Sequence, residues 1–167
     1  MSTSLHRHFL KEREAAQLLT KFSQQLKTTP KQLFGTKIQV ESTETRDGTV
    51  YLINGRPFIA LHKDILLPTL RFEDALTRLP KAIVNMGAIA HICNGADVMA
   101  PGIVQFEGKF EADEFLLVID ERHRKPLAIG KVLFDSEHAK TLKRGKVVKN
   151  LHYVGDTLWK LLKQFLS

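Results

Sequence analysis

The sequence of 167 residues holds one cysteine, Cys93, so no disulfide can close within the chain and no CxxC pair can bind a metal. It lacks any apolar run near the roughly 20 residues that span a bilayer. Its opening, MSTSLHRHFLKERE, has no apolar centre of the kind a secretory signal needs. Both absences lead us to expect a cytoplasmic protein with no membrane partner. Acid is in short supply: 18 Asp and Glu face 25 Lys and Arg, a net charge of +7, which raises affinity for polyanions such as nucleic acid. Catalytic signatures are missing too, with no GxSxG, P-loop, HExxH or GxGxxG in the chain. His91 and Cys93 stand two apart on an expected helix and so point about 200° from each other, which excludes a shared zinc. We therefore expect no catalytic residue, no metal and no cofactor. What remains, 43% hydrophobic and 26% charged residues, is the balance of an ordinary globular protein.

The most informative stretch is VNMGAIAHICNGADVMAPGI, Val84 to Ile103, which carries three of the ten glycines. Gly87 ends the β-branched run Ile83-Val84, Gly95 falls where a helix C-terminus wants a left-handed residue, and Gly102 follows Pro101 in a turn. Such a strand-helix-turn corner leaves main chain bare, either as plain architecture or to meet a phosphate or a base edge closely. Met99 and Val98 alternate as core residues do, and Asp97 suits either a ligand or nearby backbone amides. A second signal is basic: Lys140, Lys143, Arg144, Lys146 and Lys149 fall within ten residues. That run fits nucleic-acid contact and equally a solvated helix face.

Upstream, Leu5 to Leu26 has the spacing of an amphipathic helix, with Thr3 or Ser4 as cap. Thr28-Thr29-Pro30 reads as its stop. Period-2 alternation then takes over, with turns at Asp47-Gly48 and Asn54-Gly55, the latter a strong hairpin signal. Pro68-Thr69-Leu70-Arg71 reads as a connecting segment, followed by a short helix over Glu73 to Leu79. Downstream, Phe115 to Ile119 and Leu127 to Phe134 read as strands around a charged tip, Ser136 as the cap of a short helix, Val147 to Tyr153 as a strand, and the C-terminal segment as a helix. The fold class is α+β, with a boundary at Pro80: an N-terminal helix-plus-antiparallel-sheet domain, 1–79, docked on a mostly-β pseudo-barrel, 80–167.

Gly87-Ala88, followed by Gly95-Ala96-Asp97-Val98-Met99-Ala100-Pro101-Gly102-Ile103 and then Leu127-Ala128-Ile129-Gly130-Lys131-Val132, resembles a PUA domain, the RNA-binding module named for pseudouridine synthases and archaeosine transglycosylases. Ile53-Asn54-Gly55, Pro68 to Arg71 and Asn150-Leu151-His152-Tyr153 extend the likeness to the malignant-T-cell-amplified-sequence family, pre-PUA plus PUA, with archaeal homologues. Asn85 departs from the Asp that many PUA domains carry, and 72–80 is spaced differently from the eukaryotic relatives. The resemblance implies a non-enzymatic protein that binds tRNA or ribosomal RNA in initiation or recycling, with the small ribosomal subunit and a translation factor as possible partners. Its groove points to Gly87, Ala88, His91, Asn94, Gly95, Ala96, Asp97, Met99, Pro101 and Gly102 on one wall. Lys131, Lys143, Arg144, Lys146 and Lys149 would supply charge from the other. Pro68, Thr69, Leu70 and Arg71 are candidates for an interdomain or partner contact. Two alternatives stand beside this reading, a protein adaptor of the translation machinery and a non-catalytic subunit of an RNA-modification complex.

Overall fold

The strands form two antiparallel-rich sheets, and each belongs to its own compact unit: one holds residues up to Ala75 with the segment from Leu162 onward, the other Leu76–Leu161. The computed structural model describes residues 5–166. Thr3 and Ser4, named above as helix caps, lie outside the described residues.

The first unit runs β1 (His8–Phe9), α1 (Glu12–Gln25), α2 (Pro30–Phe34), β2 (Val40–Thr45), β3 (Gly48–Ile53), β4 (Arg56–His62) and β5 (Ile65–Pro68), and its strands lie side by side in that order. The expected helix from Leu5 is corrected here: it starts at Glu12, because residues 6–10 are spent on the sheet. His8 pairs with Ser42, Leu10 N donates to Val40 O at 2.9 Å, and Arg7 grips Glu41 through two bonds of 2.8 and 2.9 Å. These long-range bonds override the helical spacing. The α1 face is otherwise as its period suggests, with Leu19 and Phe22 buried and the Phe22 ring 6.1 Å from that of Phe72. Thr29-Pro30 is a start rather than a stop: the Thr29 hydroxyl accepts from Gln32 N at 3.3 Å, and Pro30 opens α2. The hairpin at Asn54-Gly55 forms with φ of 51° and 84°, and the Asn54 side chain also accepts from Gln39 N at 2.8 Å. The segment at Pro68 is more than a connector. Ile65–Pro68 is a fifth strand on β4, and the Thr69 hydroxyl donates to Pro57 O at 2.7 Å.

After α3 (Glu73–Arg78), the second unit comprises β6 (Lys81–Val84), a 3₁₀ turn (Met86–Ala88), α4 (Ile89–Ile92), β7 (Val98–Met99), a second 3₁₀ turn (Ala100–Gly102), β8 (Ile103–Glu107), β9 (Phe115–Asp120), β10 (Pro126–Val132), α5 (Ser136–Thr141) and β11 (Lys146–Tyr153). Its sheet order is β7-β11-β10-β9-β6-β8, parallel only between β6 and β9. Ala82, Val84, Ile92, Val98, Leu116, Val118, Ala128, Val132 and Val147 fill the core of the curled sheet. β8, absent from the sequence reading, pairs with β6. The cap of α5 is Asp135, which accepts from His138 N at 2.8 Å, whereas Ser136 is the first helical residue and is buried.

The strand-to-helix corner before α6 (Thr157–Leu162) is built on Asp156. Its carboxylate accepts from Tyr153 N at 2.9 Å and Trp159 N at 2.6 Å and meets the fully buried His152 at 2.8 Å. His152 thus faces inward. Burial, the largest single influence, pushes the Asp156 carboxyl up, but the His152 bond and charge and the two amides together hold it below its ordinary 3.8. A depressed carboxylate stabilises the fold fully above its unfolded pKa and loses that contribution as pH falls through the folded value. Acid denaturation followed by circular dichroism is expected to show stability dropping below about pH 4. Asp156→Asn is expected to cost about 2 kcal/mol at neutral pH and to flatten that acid limb. Among the described residues, no helix is long and apolar enough to cross a membrane.

Candidate nucleic-acid interface

The corner after β6 is shaped by side chain-to-backbone bonds. Asn85 N donates to Gly102 O at 2.9 Å, and the Asn85 side-chain oxygen accepts from Ala88 N at 3.0 Å, capping the first 3₁₀ turn. Asn85 thus bonds the turn itself. α4 ends with Gly95 at φ 96°; Gly95 N donates to Ile92 O and Ala96 N to His91 O, each at 3.0 Å, the paired closure that a left-handed glycine permits. A β-carbon on Gly95 would lie 3.2 Å from the Tyr153 hydroxyl.

Between these turns lies a cleft of about 450 Å³ lined by Asn85, Gly87, Ala88, His91, Ile92, Ala96, Asp97, Val98, Met99, Pro101 and Gly102. Eight of the ten wall residues expected from sequence line it. Asn94 and Gly95 are exposed just outside, at the helix end. The lining contains no lysine or arginine and one carboxylate; besides the Asn85 amide and the His91 imidazole, its side chains are small or apolar.

Asp97 does not point at a vacant site. Its two oxygens accept from Asn150 N and Lys146 Nζ, both at 2.8 Å, which ties the loop after α4 to β11. Burial, again the largest influence, raises its pKa, yet the Lys146 and Asn150 bonds and the charges of Lys146 and Lys149 bring it below the ordinary value. Asn150, to which sequence reasoning gave no role, holds the same wall: its side-chain amide donates to Ile92 O and Ala96 O at 3.0 Å each. Local pattern carries no signal for that role, because Lys149 and His152 are polar in the same VVKNLHY stretch.

β11 also carries the charge. β7 pairs with β11 so that Met99 stands opposite Lys146, and Lys131 on β10 stands opposite Lys149. Directly opposed residues share a face, so Lys131 and Lys149 point the same way, and Lys131 Nζ sits 5.6 Å from the centre of the Phe115 ring. Lys143 and Arg144 are exposed in the turn leading into β11. Of the five expected cations, Lys146 is committed to Asp97. The interdomain or partner candidates Pro68, Thr69 and Leu70 are buried, and Arg71 is partly exposed. Among the described residues, no group of three or more His, Cys, Asp or Glu could hold a metal. The arrangement is a cation-free cleft with bare main chain beside a basic strand pair, suited to a ligand that is part uncharged and part anionic.

The chain is similar to known proteins over most of its length. A family model described as PUA domain matches residues 80–154, and one described as a domain of unknown function, DUF1947, matches residues 6–72. An uncharacterized protein of Methanocaldococcus jannaschii is 39% identical over 126 residues, 74% of this chain and 76% of that one. Translation machinery-associated protein 20 of Schizosaccharomyces pombe is 33% identical over 122 residues, 68% of this chain and 66% of its own. A crystal structure of a PUA-domain protein from Aeropyrum pernix, 24% identical, superposes over 98% of this chain and 94% of that one with a TM-score of 0.83, which shows a common fold.

Proposed function

We propose, from the premise that the chain belongs to the PUA-domain family that includes the malignant-T-cell-amplified sequences, that it is a non-enzymatic, cytoplasmic RNA-binding protein of translation. Its ligand is tRNA or ribosomal RNA, and the small ribosomal subunit and a translation factor are its partners. One observation carries the reading: the 450 Å³ cleft walled largely by small residues and main chain adjoins β11, whose Lys149 stands opposite Lys131. Main-chain amides and small side chains let a nucleotide approach closely, while the lysines neutralise phosphates on either side of it. The translation machinery-associated relative supports the cellular setting.

Titration of the full chain with a folded tRNA transcript at several salt concentrations tests this. The log of the binding constant should fall linearly with the log of salt, by about 0.7 to 0.9 for each phosphate neutralised. No binding at low salt would sink the proposal. The adaptor reading would then take its place, favoured by Phe9, 68% exposed beside a groove of about 520 Å³ lined by Leu10, Ala15, Leu19, Ile38 and Val40.

A further inference from the structure

The segment Met99–Ile103 is a ridge with a cleft on each side. Met99, Pro101 and Gly102 face the cleft already described, whereas Ala100 and Ile103 face a second one, of about 270 Å³, between β8 and α5. Its walls are mostly apolar, with Val104 and Phe106 from β8 and Ala139 and Leu142 from the α5 side. Lys140 is the one charged residue that lines it, and Lys143 and Arg144 follow directly after Leu142. No acid lines this cleft; the Glu137 carboxylate stands 3.9 Å from Lys140 Nζ.

We infer that bound RNA crosses the 99–103 ridge and places a further nucleotide in this second cleft, its base against Val104 and Phe106 and its phosphates on Lys140 and the Lys143-Arg144 turn. The inference rests on the RNA reading above. Three features favour it. The two clefts share one wall, so a chain leaving the first over Ala100-Pro101 enters the second without a detour. Cations stand on both sides of the ridge, Lys149 opposite Lys131 on one and Lys140 followed by Lys143 and Arg144 on the other, as a continuous phosphate track requires. An added peptide strand fits less well, although β8 is the outer strand of its sheet. Its pairing with β6 slips between Ile83 and Val84, leaving Val104 unmatched and 55% exposed, and such a bulge interrupts the straight edge that strand addition needs.

Binding of an RNA trinucleotide and an RNA decanucleotide to the full chain, measured by NMR titration, separates the possibilities. Lys140 and Val104 are exposed, so the double variant Lys140→Gln, Val104→Ser keeps its fold, which the same spectra verify. It should weaken decanucleotide binding about tenfold and leave the trinucleotide within about twofold. Met99→Asp, in the first cleft, should weaken both. If the double variant binds the decanucleotide as the wild type does while Met99→Asp weakens both ligands, the second cleft takes no nucleotide and the RNA reading stands without it. If neither variant alters binding of either RNA, the RNA reading loses its site and this inference falls with it. A glutamate-rich peptide that binds the second cleft while RNA leaves its resonances unmoved would also overturn the inference.

Discussion

Neutralising Lys131, Lys143, Arg144 and Lys149 together with glutamine is expected to lower affinity for folded tRNA by about 100-fold at moderate salt and to reduce the salt slope by about 3. The effect is electrostatic. Each lysine that neutralises a phosphate releases a counterion, so its removal lowers both the binding constant and its dependence on salt. The register puts Lys131 and Lys149 on one face, and Lys143 and Arg144 extend the charge along the turn into β11. Lys146 is left intact because its ammonium sits 2.8 Å from Asp97, and removing it would expose a carboxylate in the cleft. Three of the four residues are exposed and the fourth is partly so, and stability should stay within about 0.5 kcal/mol of wild type. Loss of affinity without loss of melting temperature separates a binding surface from a folding defect. An unchanged affinity would mean that the wrong face has been chosen.

The second large effect concerns Gly130. A β-carbon there would lie 2.5 Å from Lys149 O and 2.5 Å from Val148 Cγ1, because β10 and β11 approach closely where their register slips between Ile129 and Gly130. No rotamer relieves a clash made by the β-carbon itself with a backbone oxygen. Gly130→Val is expected to cost about 3 kcal/mol and to lower the melting temperature by on the order of 10 °C. Because Lys131 and Lys149 depend on that pairing, RNA affinity should fall as well. Gly87→Ala is the contrast: its nearest neighbour outside the adjoining residues is the Asn85 side-chain oxygen at 3.4 Å, so thermal melting should hardly change. Equal melting temperatures for the Gly130 variant and wild type would contradict the close approach.

These two positions also mark how far the sequence could be read. Gly130 was legible as part of a family pattern, but its reason, the backbone of β11 pressed against it, is a long-range contact. The Asn54-Gly55 hairpin and the left-handed Gly95 were legible because turn chemistry is local. β1 was not, since LHRHFL has helical spacing and becomes extended only through its bonds to β2. Thr29-Pro30 carried a start signal that looks like a stop when only proline is weighed. At the site, the glycine corner and most of the cleft wall follow from consecutive residues. The clamp formed by Asn150 joins residues 53 to 58 positions apart and could not be seen in local pattern. Asp97 was open between ligand and backbone for the same reason, and its partners settle it as part of the wall.

Hydrogen exchange of the full chain with and without folded tRNA tests the central claim most directly. Amides of 85–102 and 146–153 should slow on binding, because the cleft and its basic strand are covered together. Protection confined to the first unit, around β1 and α1, with the cleft exchanging as freely as in the unbound protein, would contradict the account.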